Sequence, residues 1–465
     1  MLRPCGPGGA AACAAALVLG ALLAPGVAGA NGRLPAFYAV FPRPAVPAAL
    51  DLGATFGLVS TTDDGATWSW VCEASIGYMG TLDPLFLRPA GGALLASTFA
   101  GLTRSLDGGC TFDPVADVGD GFVCGMIEHP TTPGTVYVAT GSCGTGTSQT
   151  SPRALYVSTD GGLSFAATTL TSPTVDYDGV LATPADPLRL YVGGWLETAA
   201  GAYVYRSDDG GATWTEIPKT ASTGDRLRVL AVSDSDPDVL FWMVDGATAS
   251  VYRSDDGAAT ETEVLTTPGY YTGFALAQGG GTAWAGTSYN DLYRSDDGGL
   301  TFAPVLGAPA PSCVATRGAR VYICANPYMG NFAVGWSDDD GLSWNAELYL
   351  ADVDGPLACP PGTPTHDVCE PIWPALETLL DPFGAPDAGA KGTDAGAAGD
   401  GGGAGGGDGG SGRHGCGCAL AGRAAPRRTG AGPTALLLGL LGALGALRAR
   451  WRGPAAHRAP PREDT

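Results

Sequence analysis

The chain has 465 residues, with 73 Gly and 36 Pro but only 2 Lys against 23 Arg. It is too long for one small core, and Gly and Pro punctuate turns, so many short strands joined by tight turns are expected. Residues 31–412 carry 44 acidic and 15 basic residues, net −29, whereas Arg413–Thr465 carries nine Arg and two acids, net +7; so acidic a body argues against nucleic acid and against docking on anionic membrane.

Residues 1–30 read as a signal peptide. Arg3 supplies a weak positive start, an apolar stretch runs from about Ala10 to Leu23, and Ala28-Gly29-Ala30 gives a small-residue cleavage site, leaving Asn31 as the mature N-terminus. The alternative is a membrane anchor; the short apolar run and small-residue exit favour cleavage. Cys13 lacks a leucine three residues before it, which argues against N-terminal lipidation.

One octapeptide then recurs seven times: TTDDGATW (61–68), SLDGGCTF (105–112), STDGGLSF (158–165), SDDGGATW (207–214), SDDGAATE (254–261), SDDGGLTF (295–302) and SDDDGLSW (337–344). The third-position aspartates, Asp63, Asp107, Asp160, Asp209, Asp256, Asp297 and Asp339, are 44, 53, 49, 47, 41 and 42 residues apart. That period fits one four-stranded propeller blade per repeat. The aspartate can accept backbone N–H groups of its own turn, the fifth-position glycine permits positive φ, and the final aromatic can bury its ring between sheets. The fifth copy, with Ala258 for Gly and Glu261 for the aromatic, is expected to be the least well anchored. A calcium loop is the competing reading of runs such as Asp338-Asp339-Asp340-Gly341, but acids at alternate positions and a closing glutamate are missing.

In the fourth repeat, residues 179–184 are expected to form the inner strand, 190–195 the second, 202–207 the third and 213–217 the outer. Second strands are expected elsewhere at 93–98, 135–140, 238–244, 282–287 and 321–326, on their apolar alternation. The first repeat offers residues 37–41 and 55–60 but no clear inner strand before them, so the segment Ala375–Leu380 is the candidate to close the ring as a strand.

The octapeptides resemble the Asp-box, or BNR, repeat of sialidases, some plant-cell-wall glucanases, sortilin-type receptors and photosystem assembly propellers, over residues 37 to about 350. The resemblance implies an all-β fold, a seven-bladed β-propeller of four-stranded antiparallel blades, with the boxes at the rim of one face away from the ligand mouth. It implies little about function, since unrelated activities share it. Sialidases require an arginine triad and an early Arg-Ile-Pro segment; here the arginines mostly adjoin the boxes (Arg104, Arg206, Arg253, Arg294) and the N-terminal region reads FYAVFPRP.

Eight body cysteines in an exported chain suggest disulfides. Cys313 and Cys324 flank a hairpin, as do Cys124 and Cys143; Cys359–Cys369 would close a short loop, and Cys72–Cys110 follows by elimination. No Cys-x-x-Cys occurs and the four histidines are scattered, so no metal and no cofactor are expected.

Box hairpins join third to outer strands. The opposite face therefore holds the loops leading into each inner strand, with Tyr78, Asp117, Asp120, Asp176, Tyr177, Asp178, Asp225, Arg226, Tyr270 and Tyr271, and the second-to-third loops, with Trp195, Glu197, Asp245, Tyr289, Asn290, Asp291 and Tyr328. Acids and aromatics together suit a sugar, a peptide or a cation; ordinary exposed loops of an acidic protein are the plain alternative. A glycosidase would need two carboxylates at a set separation, with Asp176, Asp178, Asp225 and Glu197 as candidates. No nucleophilic triad, phosphate loop or haem motif is recognisable.

Residues 385–413 collapse to Gly, Ala and Asp and form a spacer that cannot bury a core. Cys416 and Cys418, an apolar run from Gly430 to Leu447, and Arg448, Arg450 and Arg452 follow; the 18-residue run is just long enough to span a bilayer, with the arginines cytoplasmic. This order resembles the three-part sorting tail of myxobacterial surface proteins, often called MYXO-CTERM. The resemblance implies cleavage near Cys416 or Cys418 by a membrane protease and surface display, with residues 414–452 as the sorting tail and 453–465 a polar end. The arginines alternate with Ala and Trp, and thirteen residues follow Arg452, which departs from the family pattern; a plain single-span anchor is the alternative. The sequence thus points to a monomeric, exported, surface-anchored propeller that recognises or scaffolds a glycan or protein without catalysis. A carbohydrate-active hydrolase is the alternative.

Overall fold

The apolar alternation in each repeat becomes one four-stranded antiparallel sheet, and seven such sheets form a β-propeller in the computed structural model. The description covers residues 33–381 apart from 44–45, 79–82, 145–151, 247, 289–290 and 330–331. The signal segment, the spacer, Cys416, Cys418 and the apolar tail lie outside the described residues. Within every blade the strands follow chain order, and first strands of successive blades pack on one another around the axis. Blade four shows the arrangement: Val175–Thr183 innermost, then Asp186–Leu196, Ala200–Ser207 and Thr215–Thr223.

Each octapeptide is a turn whose donors and acceptors are satisfied internally. The Ser207 hydroxyl donates to Asp209 at 2.8 Å and accepts the Gly211 N–H at 2.8 Å, while the Asp209 carboxylate takes the Thr213 N–H at 2.8 Å and the Thr213 hydroxyl at 2.6 Å. The same set recurs around Asp63, Asp160, Asp256, Asp297 and Asp339. The turn needs two successive left-handed residues rather than one: Gly210 and Gly211 have φ of 71° and 94°. In the irregular copies Asp64, Asp340 and Ala258 adopt the same region at 59°, 65° and 73°, a conformation costly for residues with a Cβ.

The turns are also linked to one another. Arg104, Arg206, Arg253 and Arg294, each just before a box, donate to carbonyls of the next blade's box: Gly162 (3.1 Å), Gly257 (3.4 Å), Gly298 (2.9 Å) and Asp340 (3.2 Å). The degenerate fifth copy, expected to be the least well anchored, has a substitute anchor. Glu261 pairs with Lys219 at 2.9 Å, and the buried Lys219 ammonium donates to the Ala258 carbonyl at 2.6 Å and lies 4.6 Å from the Trp242 ring centre. A neighbouring blade's lysine thus replaces the missing aromatic anchor.

The hydroxyl and N–H of the seventh residue push the carboxyls of Asp63, Asp209 and Asp339 down to about 2. Their folded pKa lies below the unfolded value of about 3.9, so their contribution is complete above that value and is lost as pH falls through about 2. The thermal midpoint is expected to drop steeply between pH 4 and pH 2. A midpoint unchanged over that interval would show that the boxes hold the blades without their charge.

Blade one departs from expectation. Phe37–Pro42 is itself the inner strand, and the second strand is Leu50–Ala54, followed by Gly57–Thr61 and Ser69–Cys72. The ring closes without strand exchange. Ser312 donates to the Phe37 carbonyl at 2.9 Å, Arg317 to that of Pro47 at 2.6 Å and Tyr328 to that of Pro35 at 3.0 Å, over one apolar core shared by blades seven and one. Ala375–Leu380 is not a strand but part of the helix Glu370–Leu380, which buries Leu376 and Leu380, one turn apart on one face.

The segment after blade seven runs along the outside of blade one. The Asp354 carboxylate accepts the Trp68 N–H at 2.6 Å, Gly355–Pro356 adds a short parallel fifth strand beside Ser69 and Trp70, and Trp373 packs on Trp70 with ring centres 5.6 Å apart. Two disulfides fasten this segment, Cys72–Cys369 and Cys110–Cys359. They replace the expected pairs Cys72–Cys110 and Cys359–Cys369. The C-terminal segment crosses both blade one and blade two, which brings each distant cysteine closer to its partner than its sequence neighbour is. Cys124–Cys143 and Cys313–Cys324 form as the hairpins dictate, the latter pair directly opposite in register. Among the described residues no helix is long and apolar enough to cross a membrane.

Candidate functional site

The face opposite the boxes carries the loops into the inner strands and the second-to-third loops. Seven of the residues expected in those loops lie instead in strands. Asp176, Tyr177 and Asp178 are within Val175–Thr183, Trp195 is within Asp186–Leu196, and Arg226 and Tyr271 open the inner strands Arg226–Val232 and Tyr271–Leu276. Tyr177, Trp195 and Tyr271 are buried, and burial raises the Tyr271 hydroxyl to about 12. Their rings serve the core rather than an open mouth. Tyr78 is buried as well, and the half-buried Tyr328 is committed to the closure contact with Pro35. Among the described residues of the set, Tyr270 is the exposed aromatic, at 60 %. Tyr289 and Asn290 lie outside the described residues.

Two of the four candidate carboxylates, Asp176 and Asp178, belong to ion pairs between blades. Asp178 has no exposed surface and is clamped by Arg226 and by Arg228, whose Nε donates at 2.8 Å. Burial alone would raise its carboxyl, but Arg228 and Arg226 outweigh that and hold it below the usual range. A bulge aims it. The register slips between Asp178 and Val180, and Gly179 takes φ +80°, a conformation that turns the strand locally. Inner strands also converge here: a Cβ on Gly125 would stand 2.6 Å from the Gly179 Cα.

Asp176 is equally buried. Its Oδ1 accepts the Ser142 N–H and lies 2.8 Å from Arg153 Nε, while Oδ2 has no hydrogen-bond partner among the described residues. Burial pushes this carboxyl up against the pull of Ser142 and Arg153. Across the strand pair, Trp195 stands opposite Asp176, its Nε1 also without a partner among the described residues. Asp225 accepts the Ser222 N–H at 2.7 Å. Asp245, opposite Arg226 in register, is raised by burial and lowered in part by Arg226 and Arg228. Glu197 is half-buried and close enough to raise Asp176 electrostatically. Asp117 is spent on the Phe165 N–H at 3.1 Å.

The structure therefore brings Asp176, Asp178, Asp225, Arg226, Asp245 and Glu197 to one sector of the mouth, over blades four and five. Tyr270 lies beyond them, at the loop into blade six. Sequence reasoning missed Arg228 and Arg153, the partners that decide what the aspartates can do. The only signal for Arg228 was two arginines at alternate positions in an otherwise apolar inner strand. Among the described residues no group of three or more His, Cys, Asp or Glu is placed to hold a metal ion.

No family model matches the chain, and no curated protein matches it significantly. Among solved structures it is similar to an ancestral GH74 enzyme, with a TM-score of 0.52 and 16 % identity over 68 % of this chain and 47 % of that one. The chain thus spans about half the length of that enzyme. YCF48 from Cyanidioschyzon merolae overlaps at a TM-score of 0.42 with 18 % identity, over 63 % of this chain and 93 % of that one. The GH74 xyloglucanase from Xanthomonas campestris overlaps at 0.29 with 15 % identity, over 72 % and 66 %. At such identities the likeness concerns the propeller fold alone.

Proposed function

We propose that this chain is an exported, surface-anchored propeller that recognises or scaffolds a glycan or protein at its mouth without catalysis. One observation carries the reading: the two carboxylates best placed for bond cleavage, Asp176 and Asp178, are wholly buried and paired with arginines of adjoining blades. A glycosidase needs one carboxyl that can protonate a leaving group and another that reaches the sugar. Asp178, held low between two guanidiniums, suits neither role, and Asp176, though its carboxyl is raised, has no exposed surface through which to reach a glycosidic oxygen. Four disulfides fit an oxidising compartment. The turn geometry around the box aspartates supports their assignment as Asp-box repeats. The sorting tail, with Cys416 or Cys418 as the processed residue, is proposed on its sequence pattern.

The test is a screen of the full-length protein on glycan arrays and chromogenic glycosides, with capture from envelope extracts. Binding without turnover is expected, weakened at least fivefold by Tyr270→Ala. Turnover that disappears in folded Asp176→Asn or Asp178→Asn protein would overturn the reading in favour of a hydrolase.

A further inference from the structure

Among the described residues, two clusters have one buried aspartate holding two arginines, and they differ in what the arginines have left to offer. Asp51 pairs with Arg43 and with Arg88 at 3.0 Å, and it also accepts the Ser60 hydroxyl at 2.5 Å. There Arg88 directs both Nη groups to the Gly108 carbonyl, at 3.5 and 3.4 Å, and both guanidiniums are largely covered, at 15 % and 16 % exposure. That cluster is a closed joint between blades one and two.

The Asp178 cluster is open. Arg226 and Arg228 both spend Nε on Asp178, and neither has another hydrogen-bond partner among the described residues. Arg228 is 38 % exposed. Its Nη edge and that of Arg226 are uncommitted among the described residues, at the start of the inner strand Arg226–Val232. A guanidinium fixed through one edge presents its other edge with little rotamer entropy left to lose, the arrangement that favours oxyanion recognition.

Two acids limit which oxyanion fits. Asp245 faces Arg226 across the strand pair, and Asp225 immediately precedes it. With Asp178 they leave no net positive charge in the sector, so a dense polyanion gains little there. A ligand with one anionic group and neighbouring hydroxyls gains twice, the anion on the arginines and a hydroxyl donated to Asp245. We infer that this sector of the mouth binds an acidic saccharide, its carboxylate or sulfate group seated on Arg226 and Arg228. The inference rests on recognition at the mouth as proposed above.

The test is calorimetric titration of the full-length protein with an oligosaccharide carrying a single uronate, its methyl ester, a monosulfated galactose oligosaccharide and inorganic sulfate. Saturable binding of the carboxylated or the sulfated oligosaccharide is expected, and whichever binds names the anion. The methyl ester is expected to bind at least tenfold more weakly, and added salt to weaken the complex. Arg228→Lys keeps a cation beside Asp178 but removes the fork; a loss of at least fivefold in affinity with an unchanged unfolding midpoint is expected. Equal binding of the methyl ester, unchanged affinity of Arg228→Lys, or binding of inorganic sulfate alone overturns the inference. If a neutral saccharide binds and is lost in Tyr270→Ala but not in Arg228→Lys, acidic-saccharide recognition falls while recognition at the mouth stands. If no saccharide or protein binds, both fall.

Discussion

Replacing both Cys359 and Cys369 by serine is expected to destabilise the propeller by about 4–5 kcal/mol, and Cys369→Ser alone by about 3 kcal/mol. The bridges span 297 and 249 residues, so each removes a large loop-closure entropy from the unfolded chain. They are nested, Cys110–Cys359 within Cys72–Cys369, so the second adds less than the first. They also act in the folded ring. Blades seven and one meet by packing and a few hydrogen bonds rather than by a shared sheet. The segment that carries Cys359 and Cys369 ties blade seven covalently to blades one and two. Chemical denaturation of parent and double variant, with and without reductant, checks this. Reductant should lower the parent's midpoint well beyond its effect on the double variant. Equal midpoints for the two proteins under oxidising conditions would show that packing alone closes the ring.

Asp178→Ala is expected to cost about 2–4 kcal/mol. Removing one partner of a buried ion pair commonly costs 3–5 kcal/mol, because the remaining charge stays uncompensated. Arg226 and Arg228 are 21 % and 38 % exposed, so they can turn partly to water and the cost lies toward the lower end. Asp178→Asn keeps the volume and an acceptor and should fall between parent and alanine variant. Asp178 also fixes Arg226 and Arg228, so the alanine variant should lose local order at the mouth of blades four and five, read as faster amide exchange in Arg226–Val232. A stability change under 1 kcal/mol would show that the pair is held by the strand rather than by its charge.

The same feature accounts for what could and could not be read in the sequence. The seven turns were legible because each is local. Hydroxyl, aspartate and left-handed residues lie within five positions, and their bonds to one another and to the seventh residue close inside the octapeptide. Strand limits were legible where apolar alternation was unbroken and not where a buried aspartate interrupted it. Asp51 hid the second strand of blade one, and Asp176 and Asp178 made a strand look like a loop. In each case the partner that makes burial tolerable is an arginine on another strand or blade: Arg43 and Arg88, Arg153, Arg226 and Arg228. Nothing in the local pattern announces such a partner.

The sequence by itself determined the blade count, the box turns and the hairpin disulfides Cys124–Cys143 and Cys313–Cys324, because each depends on residues near one another along the chain. The tertiary structure alone decided how the ring closes, which distant cysteines meet, and whether the acids at the mouth are open or paired. Those depend on separations of tens to hundreds of residues, where only the packing of blade on blade fixes which charge lies beside which.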